Sequence, residues 1–386
     1  MKIDKRNPRH WFYLAAFTVA SLFALVLRPL VSRHGPPLVL LYGHKLNGNL
    51  MSLYALGDQP ACEFLFLTMD PAYQRELRAD GMRSVLAFSP AGVRALARAR
   101  AIVSDHGLHV LSWLPRLGLL RFADVWHGIP FKGWDARDFL VQHTYDEIWV
   151  SSALLRRYYV ERFGFHEAQV HVTGYGRTDR LVRADEDLAP LRRRLDLPDG
   201  RRVMMFAPTW QHGTGTRSIF PFDSPADAFL AMLADVCRAH DTICLFRTHL
   251  NSGVGELPLP ADVFRCVPQQ AWPDSEGLLL LSDLLVCDWS SIAFDFLLLE
   301  RPTIFLDVPA PFPKGFTLGP EYRFGAVVAS VDALADRLAR YLAHPEQYAA
   351  EHGEQARRIA AAVYDDMADG HAAERYLARL QGLLAS

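Results

Sequence analysis

Short apolar runs alternate with helical stretches from about residue 38 onward, and the alternation restarts once after a charged interruption. The first series of strand-like runs falls at 38–42, 63–68, 84–88, 101–104, 122–126, 147–150 and 170–173, with helical patterns such as 91–98 and 153–163 between them. The polar segment 183–202 then breaks the pattern, as a linker containing a helix. Runs resume at 203–207, 242–247, 263–266, 284–287, 303–306 and 326–329, and the tail from Val331 is helical with amphipathic faces. Strands separated by helices are built into parallel sheets covered on both sides. The repetition therefore predicts an α/β chain with two doubly wound, Rossmann-like domains facing a cleft, one at 34–185 and one at 186–386. A length of 386 residues suffices for two domains of ordinary size.

Ahead of the first domain, segment 11–27 carries no charged residue and is mostly apolar. Lys2, Lys5, Arg6 and Arg9 precede it, and Arg28, Pro29 and Arg33 follow. Its 17 residues lie at the short limit for a membrane-spanning helix. No A-x-A-like cleavage site follows it, so segment 1–33 is expected to be an uncleaved membrane anchor; a removed signal or a helix lying in the interface is the competing reading. The formal net charge of −2 gives no basic field that would call for nucleic acid, and a few local cations can still hold a phosphorylated ligand. Cys62, Cys237, Cys244, Cys266 and Cys287 are odd in number and have no C-x-x-C spacing. They read as buried thiols in a reducing compartment.

Ligands of open α/β sheets bind beyond the carboxyl ends of the strands, so the residues just after each strand are the candidates for chemistry. Trp126-His127-Gly128-Ile129-Pro130-Phe131-Lys132 follows the 122–126 run. Histidine is suited to accepting a proton near neutral pH, Gly128 and Pro130 make a stiff turn after it, and Lys132 offers a cation. The local pattern fits a capped core histidine beside a buried tryptophan equally well. Arg247-Thr248-His249 follows the 242–247 run and offers cationic donors to a phosphate, or is a solvated loop with a chance basic pair. Asp288-Trp289-Ser290-Ser291 precedes an apolar helix at 292–299, where hydroxyls and backbone amides can bind an anion; Asp and Ser are also ordinary helix caps. Gly174-Tyr175-Gly176-Arg177-Thr178-Asp179 and Ala207-Pro208-Thr209-Trp210 occupy two further strand ends. G-x-G-x-x-G, Walker A, H-E-x-x-H and G-x-S-x-G motifs do not occur, which removes the usual marks of nicotinamide, ATPase, zinc-hydrolase and α/β-hydrolase chemistry.

Taken in order, these segments resemble the CDP-glycerol glycerophosphotransferase family of teichoic-acid and related polymer synthesis. The family's W-H-G-T-P-x-K is matched by Trp126 to Lys132, with Ile129 in place of threonine. Its A-P-T-W is matched by Ala207, Pro208, Thr209 and Trp210, and its R-x-H by Arg247 and His249. Its D-Y-S-S, F-D-F and K-P-I-I-F are matched by Asp288-Trp289-Ser290-Ser291, Phe294-Asp295-Phe296 and Arg301-Pro302-Thr303-Ile304-Phe305. The closing D-G-x-A-x-E-R is matched by Asp369, Gly370, Ala372, Glu374 and Arg375, and Gly43 to Asn49 looks like the family's glycine-and-asparagine segment. The family's G-Y-P-R-N-D departs here to Gly174-Tyr175-Gly176-Arg177-Thr178-Asp179, and its D-Y-S-S tyrosine is Trp289; both departures lie near the expected donor site.

The resemblance implies a GT-B fold with an acceptor-side N-terminal domain and a CDP-donor-binding C-terminal domain. It implies transfer of glycerol phosphate, or a related polyol phosphate, from a CDP-activated donor to a hydroxyl of a lipid-linked saccharide or polymer, with release of CMP. In that chemistry His127 is the general base and His249 the second catalytic histidine. Gly128, Lys132, Arg177, Asp179, Pro208, Thr209, Arg247, Asp288, Ser290 and Ser291 bind the donor or stabilise charge. No cofactor and no metal are expected, since cationic side chains can take a metal's place. A glycosyltransferase releasing a nucleoside diphosphate and a non-catalytic, membrane-tethered binding module are the alternatives. The basic N-terminus argues for the bulk of the chain lying outside, but nucleotide-activated donors are cytoplasmic. The catalytic part is therefore expected on the cytoplasmic face of the membrane, on a short, shallow anchor.

Overall fold

The computed structural model describes residues 6–31, 34–108, 111–209, 220–247 and 259–385. The chain divides into two units. The first comprises Met1–His127, Asp135–Asp179 and Met367–Ser386, and the second Gly128–Trp134 and Arg180–Asp366.

Unit 1 holds a seven-stranded sheet in the order β3-β2-β1-β4-β5-β6-β7. Its strands are β1 (Leu38–Tyr42), β2 (Glu63–Thr68), β3 (Ser84–Leu86), β4 (Ala101–Ser104), β5 (Arg121–Asp124), β6 (Glu147–Val150) and β7 (Val170–Val172). All neighbours pair in parallel. β1, β4 and β6 are buried along their whole length, as continuous apolar runs must be when helices cover both faces of a sheet. Helices begin where a cap precedes proline. Asp70 accepts from the amides of Ala72 (3.0 Å) and Tyr73 (3.2 Å) at the start of α3 (Pro71–Ala79), and Ser89 caps α4 (Pro90–Arg98). β5 ends two residues before the expected 126 because Trp126 turns the chain with φ +48°.

Unit 2 repeats the plan with six parallel strands in the order β10-β9-β8-β11-β12-β13. They are β8 (Arg202–Ala207), β9 (Thr242–Phe246), β10 (Phe264–Cys266), β11 (Leu284–Cys287), β12 (Thr303–Leu306) and β13 (Ala326–Val328). In both sheets the order reverses beside the first strand, at β1/β4 and at β8/β11. These are the topological switch points at which ligands bind in such folds.

The units exchange segments, which contiguous domain boundaries at 34–185 and 186–386 take no account of. The last helix, α13 (Ala372–Ala385), belongs to unit 1, where Tyr376 and Leu380 are fully buried in a core with Val39, Leu41, Phe66 and Trp149. Each such side chain contributes roughly 2–3 kcal/mol of burial, so α13 returns to cover the sheet where the chain began. Conversely, 128–134 belongs to unit 2. Phe131 packs against Phe294 (4.6 Å between ring centroids) and Trp289 (5.8 Å), and Lys132 bridges antiparallel to Phe316.

The apolar N-terminal segment forms α1 (Pro8–Leu27), long and apolar enough to cross a membrane. One face of it is part of unit 1. Phe17, Ala20, Ser21 and Ala24 are buried, and the Tyr13 ring stacks on Phe88 at 5.3 Å. Arg28, just beyond, donates to the carbonyls of Ala97, Ala99 (2.8 Å) and Leu119. Phe12, Val19, Leu22, Phe23 and Val26 are exposed on the other face.

Candidate active site

Three histidines stand beyond the ends of β1, β4 and β5: His44, His106 and His127. The His106 ring lies 4.3 Å from His44 and 4.2 Å from His127, and it is parallel to the latter within 4°. His127 Nδ1 is 3.0 Å from the backbone carbonyl oxygen of Asp105. A carbonyl oxygen only accepts, so Nδ1 carries the proton and the neutral ring has its lone pair on Nε2. That tautomer is the one a general base needs.

The loop carrying His127 is tied from several sides. Asn49 Nδ2 donates to the carbonyls of Val125 (2.9 Å) and Trp126 (3.1 Å), while its Oδ1 accepts from the amide of Arg177 (3.0 Å). The Arg177 guanidinium donates to the carbonyl of His127 (2.9 Å). Trp126 is held in the left-handed region, which costs a bulky residue about 1–3 kcal/mol. Its amide donates to Asp124 (2.9 Å), which helps hold that conformation. Gly128, at φ +132°, takes a conformation that side chains rarely adopt, which accounts for glycine after the histidine.

Two buried carboxylates underlie the stack. Asp124 accepts from Ser104 Oγ (2.9 Å) as well as from Trp126, but burial outweighs both bonds and pushes its carboxyl up to about 7. Asp105 lies 2.7 Å from His106 Nδ1. Burial alone would lower the His106 imidazolium, but the charge of Asp105, its hydrogen bond and the charge of Asp124 outweigh burial and raise it above the ordinary imidazole value.

The segment 174–179 joins the C-terminal motif to this site. Both carboxylate oxygens of Asp179 accept from the first amides of α13, Ala372 (3.0 Å) and Ala373 (2.9 Å). Arg375 donates to the carbonyl of Thr173 (2.7 Å) and to Asp369 (2.8 Å). Gly176 donates its amide to Tyr376 Oη (3.0 Å), a bond that the family's proline could not make, and a Cβ there would fall 1.9 Å from Ser52 Oγ. These contacts give Asp179 the work of anchoring α13 and Arg177 that of holding the His127 loop.

At the second switch point Asp288, buried after β11, accepts from the amides of Thr209 (2.7 Å) and Trp289 (2.6 Å). It thereby joins the chain after β8, at Thr209, to the 288–291 segment. Ser291 is the N-cap residue of α10 (Ile292–Leu297), yet its hydroxyl makes no capping bond. The ordinary capping explanation therefore does not account for this serine. Trp289, the departure from the family's tyrosine, is buried; its indole N–H goes to the carbonyl of Val308 (2.8 Å) and its ring lies under Arg323. Arg247 is buried, with contacts from its guanidinium to the carbonyls of Trp272 (3.1 Å) and Val267 (3.5 Å). Lys132 holds its ammonium 4.1 Å from the ring of Trp134, and its carbonyl accepts from Thr317 Oγ1 (2.7 Å). Trp210, Thr248 and His249 lie outside the described residues.

Four residues of the first site escaped the sequence reading: His44, Asp105, His106 and Asp124. The signal was available, since all four sit at or just past a strand end, and the strand-end rule picks them out once applied to β1 and β4 as well as β5.

Comparison with known proteins fits this layout. The chain resembles the teichoic acid glycerol-phosphate transferase of Staphylococcus aureus (strain NCTC 8325 / PS 47), at 25% identity over 86% of this chain and 89% of that one. It also resembles the teichoic acid ribitol-phosphate polymerase TarK of the same strain, at 30% identity over 54% of this chain, and there it spans 41% of the relative's length. In structure it is similar to the wall teichoic acid polymerase TagF, with a TM-score of 0.73 over 96% of this chain and 93% of that chain at 19% identity. That likeness shows the GT-B-like fold of two parallel α/β sheets. The family profile of CDP-glycerol:poly(glycerophosphate) glycerophosphotransferase matches residues 42–381, and the chain belongs to that family.

Proposed function

We propose that this enzyme transfers glycerol phosphate, or a related polyol phosphate, from a CDP-activated donor to a hydroxyl of a lipid-linked or polymer acceptor. The acceptor oxygen attacks the β-phosphorus, and its proton passes to His127 Nε2. The bond from that phosphorus to the bridging oxygen breaks, and CMP leaves with the oxygen. Phosphoryl transfer of this kind rests on positioning and on fixed charge rather than on covalent help from the protein. The observation that carries the reading is the His127 imidazole, whose Nδ1 bond to Asp105 leaves the basic nitrogen to Nε2, beyond the strand next to the β1/β4 switch point.

Unit 2 supplies the donor cradle in this reading: Thr209, Ser290 and Ser291 at the β8/β11 switch point, with Gly128 and Lys132 in the chain that follows His127. Arg247 and His249 stabilise charge on the transferring and leaving phosphates. Incubation with labelled CDP-glycerol and CDP-ribitol and a membrane fraction, followed by assay of CMP and sizing of the product, tests the reaction and names the polyol. Release of a nucleoside diphosphate from a nucleotide sugar would instead make it a glycosyltransferase. CDP binding without turnover on any lipid-linked acceptor would make it a binding module.

The site of action proposed is the cytoplasmic face of the membrane. There α1 lies along the lipid surface with Phe12, Val19, Leu22, Phe23 and Val26 in the acyl boundary. Basic residues before and after the helix favour anionic headgroups. A spanning arrangement would strip Phe17 and Arg28 of their partners in unit 1, whereas a helix lying flat keeps them. The Leu22→Asp/Phe23→Asp double variant is expected to fold normally and to stop floating with anionic vesicles. Wild-type protein that resists alkaline carbonate extraction would show that the helix spans.

A further inference from the structure

We propose that Asp105 and His106 form a charge-setting pair for His127: a carboxylate-held imidazolium stacked face to face on the catalytic imidazole, which keeps that imidazole neutral and basic at working pH. The proposal rests on His127 being the general base. The pair makes His106 and Asp105 positioning residues, acting through His127 rather than on substrate.

The geometry is specific to that role. Asp105 uses two different groups on two histidines: its carboxylate meets His106 Nδ1 at 2.7 Å, and its backbone carbonyl meets His127 Nδ1 at 3.0 Å. One residue therefore fixes the charge of the first ring and the tautomer of the second. The rings are parallel within 4° at 4.2 Å, a separation at which a cation on one disfavours a cation on the other. With one proton in excess across the stack, it stays on the ring that has the carboxylate. Once His127 has taken the acceptor's proton, the two adjacent cations make it a stronger acid, and loss of that proton to solvent restores the base.

The other groups facing the stack do not undo this. The His44 ring lies 4.3 Å from that of His106, tilted by 35°, and its own protonation would add to the charge next to the pair. Tyr42 is buried, and burial, reinforced by the charge of Asp105, holds its phenol neutral. Asp124 favours the His106 cation, and the Trp126 ring covers His127 at 4.3 Å. Arg177 places its cation at the carbonyl of His127, while Lys45 points away, over the ring of Tyr73.

The test is the pH dependence of kcat/KM for full-length wild type, His106→Gln and Asp105→Asn, with His127→Ala as the reference. The acidic limb reports the ionisation of the base in the free enzyme. It is expected to move to higher pH by about one unit in His106→Gln, which removes the cation and leaves the carboxylate, and in the same direction by less in Asp105→Asn, which removes the carboxylate together with the cation it holds. Asp105→Asn keeps the backbone carbonyl that fixes the His127 tautomer, so it separates charge from orientation. A lowered plateau with an unmoved limb in Asp105→Asn would overturn the proposal and leave His127 as the base. An active His127→Ala protein would overturn the general-base reading itself, and the pair with it. If His106→Gln proves inactive, imidazole ¹⁵N shifts decide: one ring that stays protonated above the ordinary imidazole range in wild type must lose that property in Asp105→Asn.

Discussion

Around the β1/β4 switch point the chain clusters three imidazoles, two of them stacked, with two buried carboxylates, whereas at β8/β11 the carboxylate of Asp288 gathers two backbone amides beside a pair of serines. The strand order around the two points is the same. Topology therefore decides where side chains can meet a ligand, and the residues placed there decide what they do. On the function proposed above, the first crevice holds and moves a proton and the second, with its serine hydroxyls, binds the diphosphate.

The sharpest way to break this division of labour is His127→Ala. Turnover is expected to fall about 100- to 10,000-fold, the usual cost of losing a general base, with CDP-glycerol affinity retained by calorimetry. Loss of donor affinity along with activity would mean that the first crevice also holds the nucleotide. The complementary variant, Ser290→Ala/Ser291→Ala, should weaken donor binding by roughly 10- to 100-fold, in line with the loss of hydrogen bonds to a charged group. Its pH profile should stay where it is in wild type. A shift in the acidic limb would show that the serines influence the base and that the two crevices are not chemically separate.

The two crevices also differ in how far sequence could read them. Among the described residues all thirteen strands stand where apolar runs were expected, most plainly β1, β4, β6, β9, β11 and β12, which are buried throughout and have little choice of residue. The motif residues of the second crevice were legible from their position after strands. The first was legible only through His127. Asp105 and His106 follow a run of only four residues, 101–104, and although Gly107 (φ +71°) follows them as Gly128 follows His127, the stack itself exists only because β1, β4 and β5 are adjacent in the sheet. Asp179 is the opposite case. It sits in a motif near an expected donor site, yet its carboxylate receives the first amides of α13 from almost 200 residues away. Long-range capping of that kind has no local signature.

The smallest expected effect sharpens the comparison at Asp124, the residue in the first crevice whose burial works against it. Its carboxyl titrates near 7 in the folded protein because burial raises it, against a usual value of 3.8. Between those values the folded state holds a proton that the unfolded chain has given up, so stability falls as pH rises through the window and the loss is complete above about 7. Asp124→Asn removes the ionisation while keeping an oxygen for the amide of Trp126 and an NH₂ group that can donate to Ser104. The variant is expected to be more stable than wild type at pH 8, by on the order of 1–3 kcal/mol after the lost attraction to His106 is offset. The advantage should shrink as pH is lowered towards 5, which urea melts at the two pH values would measure. An unchanged pH dependence would mean that Asp124 is already ionised in the native state. The crevice would then contain a second fixed negative charge beneath the histidines, and the contrast with the single carboxylate at Asp288 would be one of charge as well as of imidazole content.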